Sequence, residues 1–442
     1  MHKTLLALSV ALLSLPSFSA DLLQAWQAAQ QYDATMLASR YAQQAGLEKA
    51  NQAHALLLPK VTLAGNSGYL VNDYQAGSNL LQDSNSNGNN YGYSISAQQP
   101  IFRAEVFASS DQLKKQADLA TVQYRLAEQE LILRVAKAYF ELLAADEKVQ
   151  LAKAQKQAIA EQLALAKKSF EVGVATITDT DEAQASYDSI LAEEIVANND
   201  LVVKKNALSL LTGLDSENIA KLTDAMAPTL PVPNDLSVWL QKSSNTSLSV
   251  NGQLLTLDIA KREIDKYRLL NSPSLDLVAS YGQAWDSGGI SRSGNTDQTG
   301  KGMIGLQLSI PLFTGGERTS KLNEAAAKEA QQRQIVEATR RETEQLTKQA
   351  FLGVNAGAAQ INALQQVLKS SQSLLASSKL GREVGVRTTV DVLNAEQKYY
   401  QTRYDLTVAR YSYLYTRLQL AAVVGDLNEM DVKAVNEWLI NK

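Results

Sequence analysis

Two periodicities divide this chain. The first is helical: apolar or small residues recur every three or four positions at Leu113, Ala117, Ala120, Tyr124, Ala127, Leu131, Val135, Ala138 and Leu142. Such spacing lays one stripe along a helix and predicts a coiled-coil seam. A 4-4 step at Leu131 and Val135 interrupts the heptad and locally straightens the supercoil. Comparable stripes run through Ala183, Tyr187, Ile190, Ala197, Leu201, Leu208 and Leu211, and through Val390, Leu393, Tyr400, Tyr404, Tyr411, Leu414, Leu418 and Ala421. No proline falls within residues 101–227 or 312–442, and no glycine within 103–172, which marks these stretches as helical territory. A helix from Arg103 to Phe170 spans roughly 100 Å at 1.5 Å per residue. That exceeds a globular core, so it must protrude or cross a compartment.

The second periodicity is two. Val61, Leu63, Tyr69 and Val71 alternate with Thr62, Asn66 and Gly68, while Tyr91, Tyr93, Ile95 and Ala97 alternate with Gly92, Ser94, Ser96 and Gln98. The pattern returns at Leu275, Leu277, Ala279 and Tyr281, and again at Ile304, Leu306, Leu308 and Ile310. Strands with one apolar and one polar face, about ten residues long and ending in Tyr or Trp, match those of membrane β-barrels. The polar stretches 72–90 and 283–301 read as long surface loops.

The two halves repeat each other. LLLPKVTLAGNSGY from Leu56 answers LLNSPSLDLVASYG from Leu269, QQPIF from Gln98 answers SIPLF from Ser309, and FEVGVATITDTDEA from Phe170 answers REVGVRTTVDVLNA from Arg382, with an offset near 212 residues. The first repeat is expected over 21–211, with a helix at 21–58, strands near 61–71 and 91–101, and helices at 103–171 and 177–211. The second is expected over 241–423, with a helix at 241–271, strands near 274–284 and 302–312, and helices at 316–381 and 389–423. A Pro-rich linker, 212–240, joins the copies and is expected to pack with the C-terminal segment 424–442.

Composition narrows the class. The opening MHKTLLALSVALLSLPSFSA reads as a signal peptide over residues 1–20, cleaved after Ser19 or Ala20. The net charge is −4, about −5 once Lys3 is removed, with no basic block, so nucleic acid is not an expected partner. There are no cysteines, which excludes a disulfide framework and a lipidated amino-terminal Cys. No stretch beyond the leader approaches the roughly 18 apolar residues of a membrane helix, so any crossing must use strands.

Four strands cannot close a barrel, and lipid does not tolerate open sheet edges. Three copies would supply about twelve strands around a watery lumen, whereas two would supply about eight and leave little room. Pro59, Pro100, Pro273 and Pro311 sit at the expected strand-to-helix junctions.

Catalytic chemistry is not expected, nor any metal or cofactor. His54, the one histidine outside the leader, has no neighbouring ligand set and reads as an ordinary helix residue. TGKG from Thr299 lacks the first glycine and the final Ser or Thr of a phosphate loop, and reads as surface loop. Gly173 and Gly385 each end a long helix, as left-handed caps do, and begin the turn at the tip of a helical hairpin. Arg387, Asp391 and Asn394 are spaced by four and three, and so share one helix face.

VGVATITD with YDSILAEE, and EVGVRTTVDVLNA with ARYSYL, resemble the TolC family of outer-membrane efflux ducts, and the resemblance covers essentially the whole mature chain. It implies an α+β membrane protein: a homotrimeric 12-stranded β-barrel in outer-membrane lipid, continuous with a long 12-helix α-barrel through the periplasm, the linker and tail lying at its equator. It also implies a periplasmic adaptor (membrane fusion protein) and an inner-membrane pump of RND, ABC or MFS type as partners, and export of drugs, detergents or secreted proteins. By resemblance, the tips at Gly173, Val174, Gly385 and Val386 close the entrance and receive the adaptor. The family's two acidic rings map to Asp391 and Asn394, so Asn394 leaves one ring of carboxylates here. An Arg at position 387 ties neighbouring helices in the family, and Arg382 replaces a Tyr that bonds the acid at Asp179. Arg382 and Arg387 are therefore expected to clamp the closed gate through Asp179 and Thr178. The rival class is a periplasmic coiled-coil scaffold or adaptor, against which the aromatic-ended strands argue.

Overall fold

A computed structural model describes residues 20–75, 84–223 and 226–440. The signal-peptide reading at 1–19 and the tip of the first strand loop fall outside the described residues. In chain order the elements are α1 (Leu22–Tyr32), α2 (Ala34–Ala55), β1 (Lys60–Tyr74), β2 (Ser84–Phe102), α3 (Ala104–Glu171), α4 (Ile177–Thr212) and β3 (Lys221–Leu222). There follow α5 (Leu236–Thr246), α6 (Leu248–Leu269), β4 (Ser274–Gly288), β5 (Asp297–Ser309), α7 (Glu317–Glu383), α8 (Thr389–Val423), α9 (Glu429–Asn436) and β6 (Leu439–Ile440).

The chain forms two compact units, one built from residues 42–122 and 252–338, the other from the described parts of 1–41, 123–251 and 339–442. Each takes pieces from both repeats, so the repeat is a unit of sequence and not of folding. The first unit holds an antiparallel four-stranded sheet in the order β1-β2-β4-β5, with β1 and β5 as edges. Strict alternation puts Leu63, Tyr93, Tyr281 and Gly302 on one face through the pairs Gly65↔Tyr93 and Tyr281↔Gly302, with Tyr91 stacked on Trp285 at 5.5 Å between ring centres. The opposite face is polar. There Asn66 Nδ2 donates to Asn90 Oδ1 and Asn90 Nδ2 to Asp286 Oδ1, both at 2.7 Å, a ladder across three strands. At the start of α3, Arg103 grips the buried Asp276 of β4 through Nε at 2.8 Å and Nη2 at 2.5 Å, and Gln98 donates to the same carboxylate at 3.0 Å.

The second unit is helical. The seam residues Leu131, Val135 and Leu142 of α3 are buried as the stripe requires, together with Val354 and Ile361 of α7 and Leu414 and Leu418 of α8. Ile132, Ala136, Tyr139, Phe140 and Leu143 are buried too, because here α3 is packed on a second face. The Tyr139 hydroxyl sits 2.7 Å from the Ala220 carbonyl and 3.2 Å from that of Ala20. The linker and C-terminal tail meet as the two-stranded β3–β6 sheet, Lys221 opposite Ile440 and Leu222 opposite Leu439.

Several sequence expectations need correction. The helix expected at 21–58 breaks at Asp33, whose backbone turns extended (ψ 116°) while its carboxylate accepts Met36 N–H at 2.9 Å and so caps α2. The helix expected at 241–271 breaks likewise at Ser247, ψ 125°. The strands run further into the stretches read as loops, to Tyr74, Ser84, Gly288 and Asp297. TGKG is therefore in β5 and not in a loop. The last strand stops at Ser309, before Pro311 removes a ladder donor.

Candidate functional site

Both helical hairpins of the second unit end in the same turn. Gly173 takes φ +76° and Gly385 φ +80°, the left-handed conformation that other residues adopt at a cost. Gly173 N–H donates to Phe170 O at 2.9 Å and Val174 N–H to Ser169 O at 2.9 Å; Gly385 and Val386 repeat this with Arg382 O at 3.0 Å and Gly381 O at 2.9 Å. These are Schellman caps, and they settle the orphan carbonyls at the ends of α3 and α7. Val174 and Val386 stand about three-quarters exposed at the tips.

The next helices begin with paired capping boxes, in which Thr176 and Thr388 are the caps. Asp179 N–H donates to Thr176 Oγ1 at 3.2 Å, and Thr176 N–H and Oγ1 donate to Asp179 Oδ2 at 2.9 and 2.7 Å. In α8, Asp391 N–H donates to Thr388 Oγ1 at 3.1 Å, and Thr388 N–H and Oγ1 each donate to Asp391 Oδ2 at 2.9 Å. The backbone N–H of the cap, then its hydroxyl, hold both carboxyls below their ordinary range; Arg382 adds a smaller effect at Asp179 and Arg387 at Asp391. The T-x-x-D spacing in both tips, Thr176 to Asp179 and Thr388 to Asp391, is the sequence signal of these capping boxes.

Arg387 lies in the turn before the cap, not on the helix face expected for it. It still folds toward the carboxylate, Nη1 to Asp391 Oδ1 at 3.8 Å, with both side chains partly exposed. Gly381 makes room for it: a Cβ there would meet Arg387 Cγ at 2.7 Å. Arg382 departs from the expected clamp. Its Nη1 donates to Gln162 of α3, and Asp179 receives no hydrogen bond from it. Thr178 and Asn394 are exposed, and their side chains make no hydrogen bond among the described residues. The structure thus joins Arg387 to Asp391 and ties Arg382 across to α3, while leaving Thr178 and Asn394 open.

Further pairs tie the helices together. Lys156 to Glu194 at 2.5 Å and Lys148 to Glu193 at 3.7 Å join α3 to α4, and Arg403 to Glu147 at 3.5 Å joins α8 to α3. Lys379 to Glu396 at 2.8 Å joins α7 to α8.

Residues 25–214 and 239–426, one span in each repeat, match the family model described as outer membrane efflux protein. The chain belongs to that family. It is 31% identical to the outer membrane protein TolC of Vibrio cholerae, over 99% of both chains. It is 29% identical to the alkaline protease secretion protein AprF of Pseudomonas aeruginosa, over 95% of this chain and 87% of that one. The fold is that of the outer membrane protein VceC of Vibrio cholerae, with a TM-score of 0.77 at 19% identity over 91% of this chain and 96% of the other. This efflux protein is accordingly an outer-membrane protein that serves as an exit duct, and the tip residues above lie in its helical unit.

Proposed function

We propose that three copies assemble into one duct, their twelve strands closing a barrel in the outer membrane and their twelve helices forming a tube through the periplasm. The observation that carries this is the sheet itself. Four strands with one apolar face and two unpaired edges, β1 and β5, cannot remain open in lipid. Joining β5 of one copy to β1 of the next removes every edge, and the Asn66–Asn90–Asp286 ladder then lines the lumen.

In this reading the helical tips form the periplasmic gate. Three Asp391 carboxylates ring the axis, Arg387 and Arg382 restrain the second hairpin, and the exposed valines of the tips meet a periplasmic adaptor that couples the duct to an inner-membrane pump of RND, ABC or MFS type. Cargo would be drugs and detergents, and secreted proteins as well, in line with the secretion role named for the Pseudomonas relative.

The test is reconstitution. The purified protein should migrate as a heat-modifiable trimer and form channels in planar bilayers, with Arg382→Ala, Arg387→Ala raising single-channel conductance. A monomer without conductance would overturn the duct assembly. Unchanged conductance in an assembled double variant would overturn the gate.

A further inference from the structure

Glu396 is an anomaly in the helical unit. Its side chain is 1% exposed, although it is a carboxylate on a helix. Its charged partner is Lys379 Nζ at 2.8 Å, and that lysine is itself nearly half exposed. Oε1 has that ammonium as its ion-pair partner, yet neither Glu396 oxygen accepts a hydrogen bond of ordinary geometry among the described residues. Buried apolar residues flank it along the helix: Val392 and Ala395 are buried, and Leu393, one turn earlier, belongs to a cluster with Ile159, Leu163 and Ile190 of α3 and α4. Tyr400, one turn later, is pushed above its ordinary range first by burial and then by the Glu396 charge.

The pair sits beside the gate. Lys379 precedes Arg382 by three residues on α7, and Glu396 follows Asp391 by five on α8. A buried ion pair with unsatisfied oxygens is usually less favourable than an apolar pair of the same volume. A residue that costs stability in the packed arrangement favours any arrangement that hydrates it.

We propose that Glu396, with Lys379 as its counter-charge, is a positioning residue that sets the resting balance of the gate. It holds α8 in register with α7 while making the packing of α8 against α3 and α4 metastable, so that outward movement of the second hairpin is favoured by hydration of the carboxylate. This rests on the gate reading above.

The test uses the full trimer in planar bilayers, with heat-modifiable migration as the assembly control and Arg382→Ala, Arg387→Ala as the opened reference. Added to that reference, Glu396→Leu should lower the open fraction about tenfold, because an apolar side chain removes the incentive to hydrate. Lys379→Met alone should raise the open fraction of the wild-type gate, since the buried charge loses its partner. Lys379→Met, Glu396→Leu together should restore wild-type closure or exceed it, a rescue that a merely structural role would not give. If the reference variant opens while Glu396→Leu leaves it unchanged or opens it further, this inference is overturned and the gate stands. If the reference itself conducts like the wild type, the gate reading fails first. Should Lys379→Met not assemble, the Glu396→Leu arm decides alone.

Discussion

Asn394→Asp offers the sharpest test of the proposed entrance, because it changes one atom type at an exposed position three residues beyond Asp391. The two side chains would lie about 5–6 Å apart on one helix face. A trivalent cation on the axis about 6 Å from each added carboxylate gains roughly 2 kcal/mol per carboxylate in a water-like dielectric. Screening at about 0.1 M salt brings this to about 1 kcal/mol. Three copies then add about 3 kcal/mol, or roughly a hundredfold in affinity. The assay is block of single-channel current by a hexaammine trivalent cation, titrated from the periplasmic side for the wild type and for Asn394→Asp. Tighter block by two orders of magnitude is expected, with Asp391→Asn weaker than either. Equal block in wild type and Asn394→Asp would refute the convergence of these side chains on an axis.

Four other outcomes follow from the structure. Arg103→Met leaves Asp276, 3% exposed in its side chain, with Gln98 as its remaining side-chain donor among the described residues; the loss should approach about 3 kcal/mol, read as a lowered temperature for loss of the heat-modifiable form, and Arg103→Met, Asp276→Leu should recover part of it. Thr388→Val removes the cap of α8 at a cost of about 1 kcal/mol per chain, read as faster amide exchange in the first turn of that helix and not in α4. Because Asp391 is held below its ordinary value of 3.8, its contribution is full above that value and is lost as pH falls through the lowered one; exchange in the same turn should therefore accelerate below about pH 4, and an acid-insensitive turn would count against the capping box. Gly381→Ala would push Arg387 off its seat, raising conductance without a change in trimer yield, whereas unchanged conductance would show that Arg387 does not restrain the gate.

The sequence made the seam of α3 legible because one helix face repeats every three or four residues. It did not reveal the second buried face, Ile132, Ala136, Tyr139 and Phe140, since a helix packed on two sides loses the contrast on which the pattern depends. The breaks at Asp33 and Ser247 are not legible in the periodicity either: a single extended residue separates two helices, and only the residue types Asp and Ser, favoured at helix starts, hint at the turn. Of the site, Gly173 and Gly385 could be read as left-handed caps, and the Arg387–Asp391 proximity from spacing. The partner of Arg382 could not, because Gln162 lies 220 residues away on another helix. Glu396 could not either, because a glutamate within a helix reads as solvated until the packing around it is known.

The duplication separates what the hairpin tips need in order to fold from what differs between them. Both copies keep the glycine cap, the Thr cap and the Asp at its third helical position, with hydrogen-bond lengths that agree within about 0.2 Å. Those residues are therefore sufficiently explained by backbone satisfaction, and an aspartate at the tip is not by itself a sign of gating. The copies diverge at the positions around this scaffold: Phe170 against Arg382, and Ala175 against Arg387. Only the second carries cations, one reaching across to α3 and one lying over its own capping carboxylate. A restraint that holds one hairpin against the other needs such asymmetry, because two identical tips would have no reason to move differently. Any gating by these tips therefore falls to the arginines and to the placement of Asp391, with the capping boxes as the rigid frame that presents them.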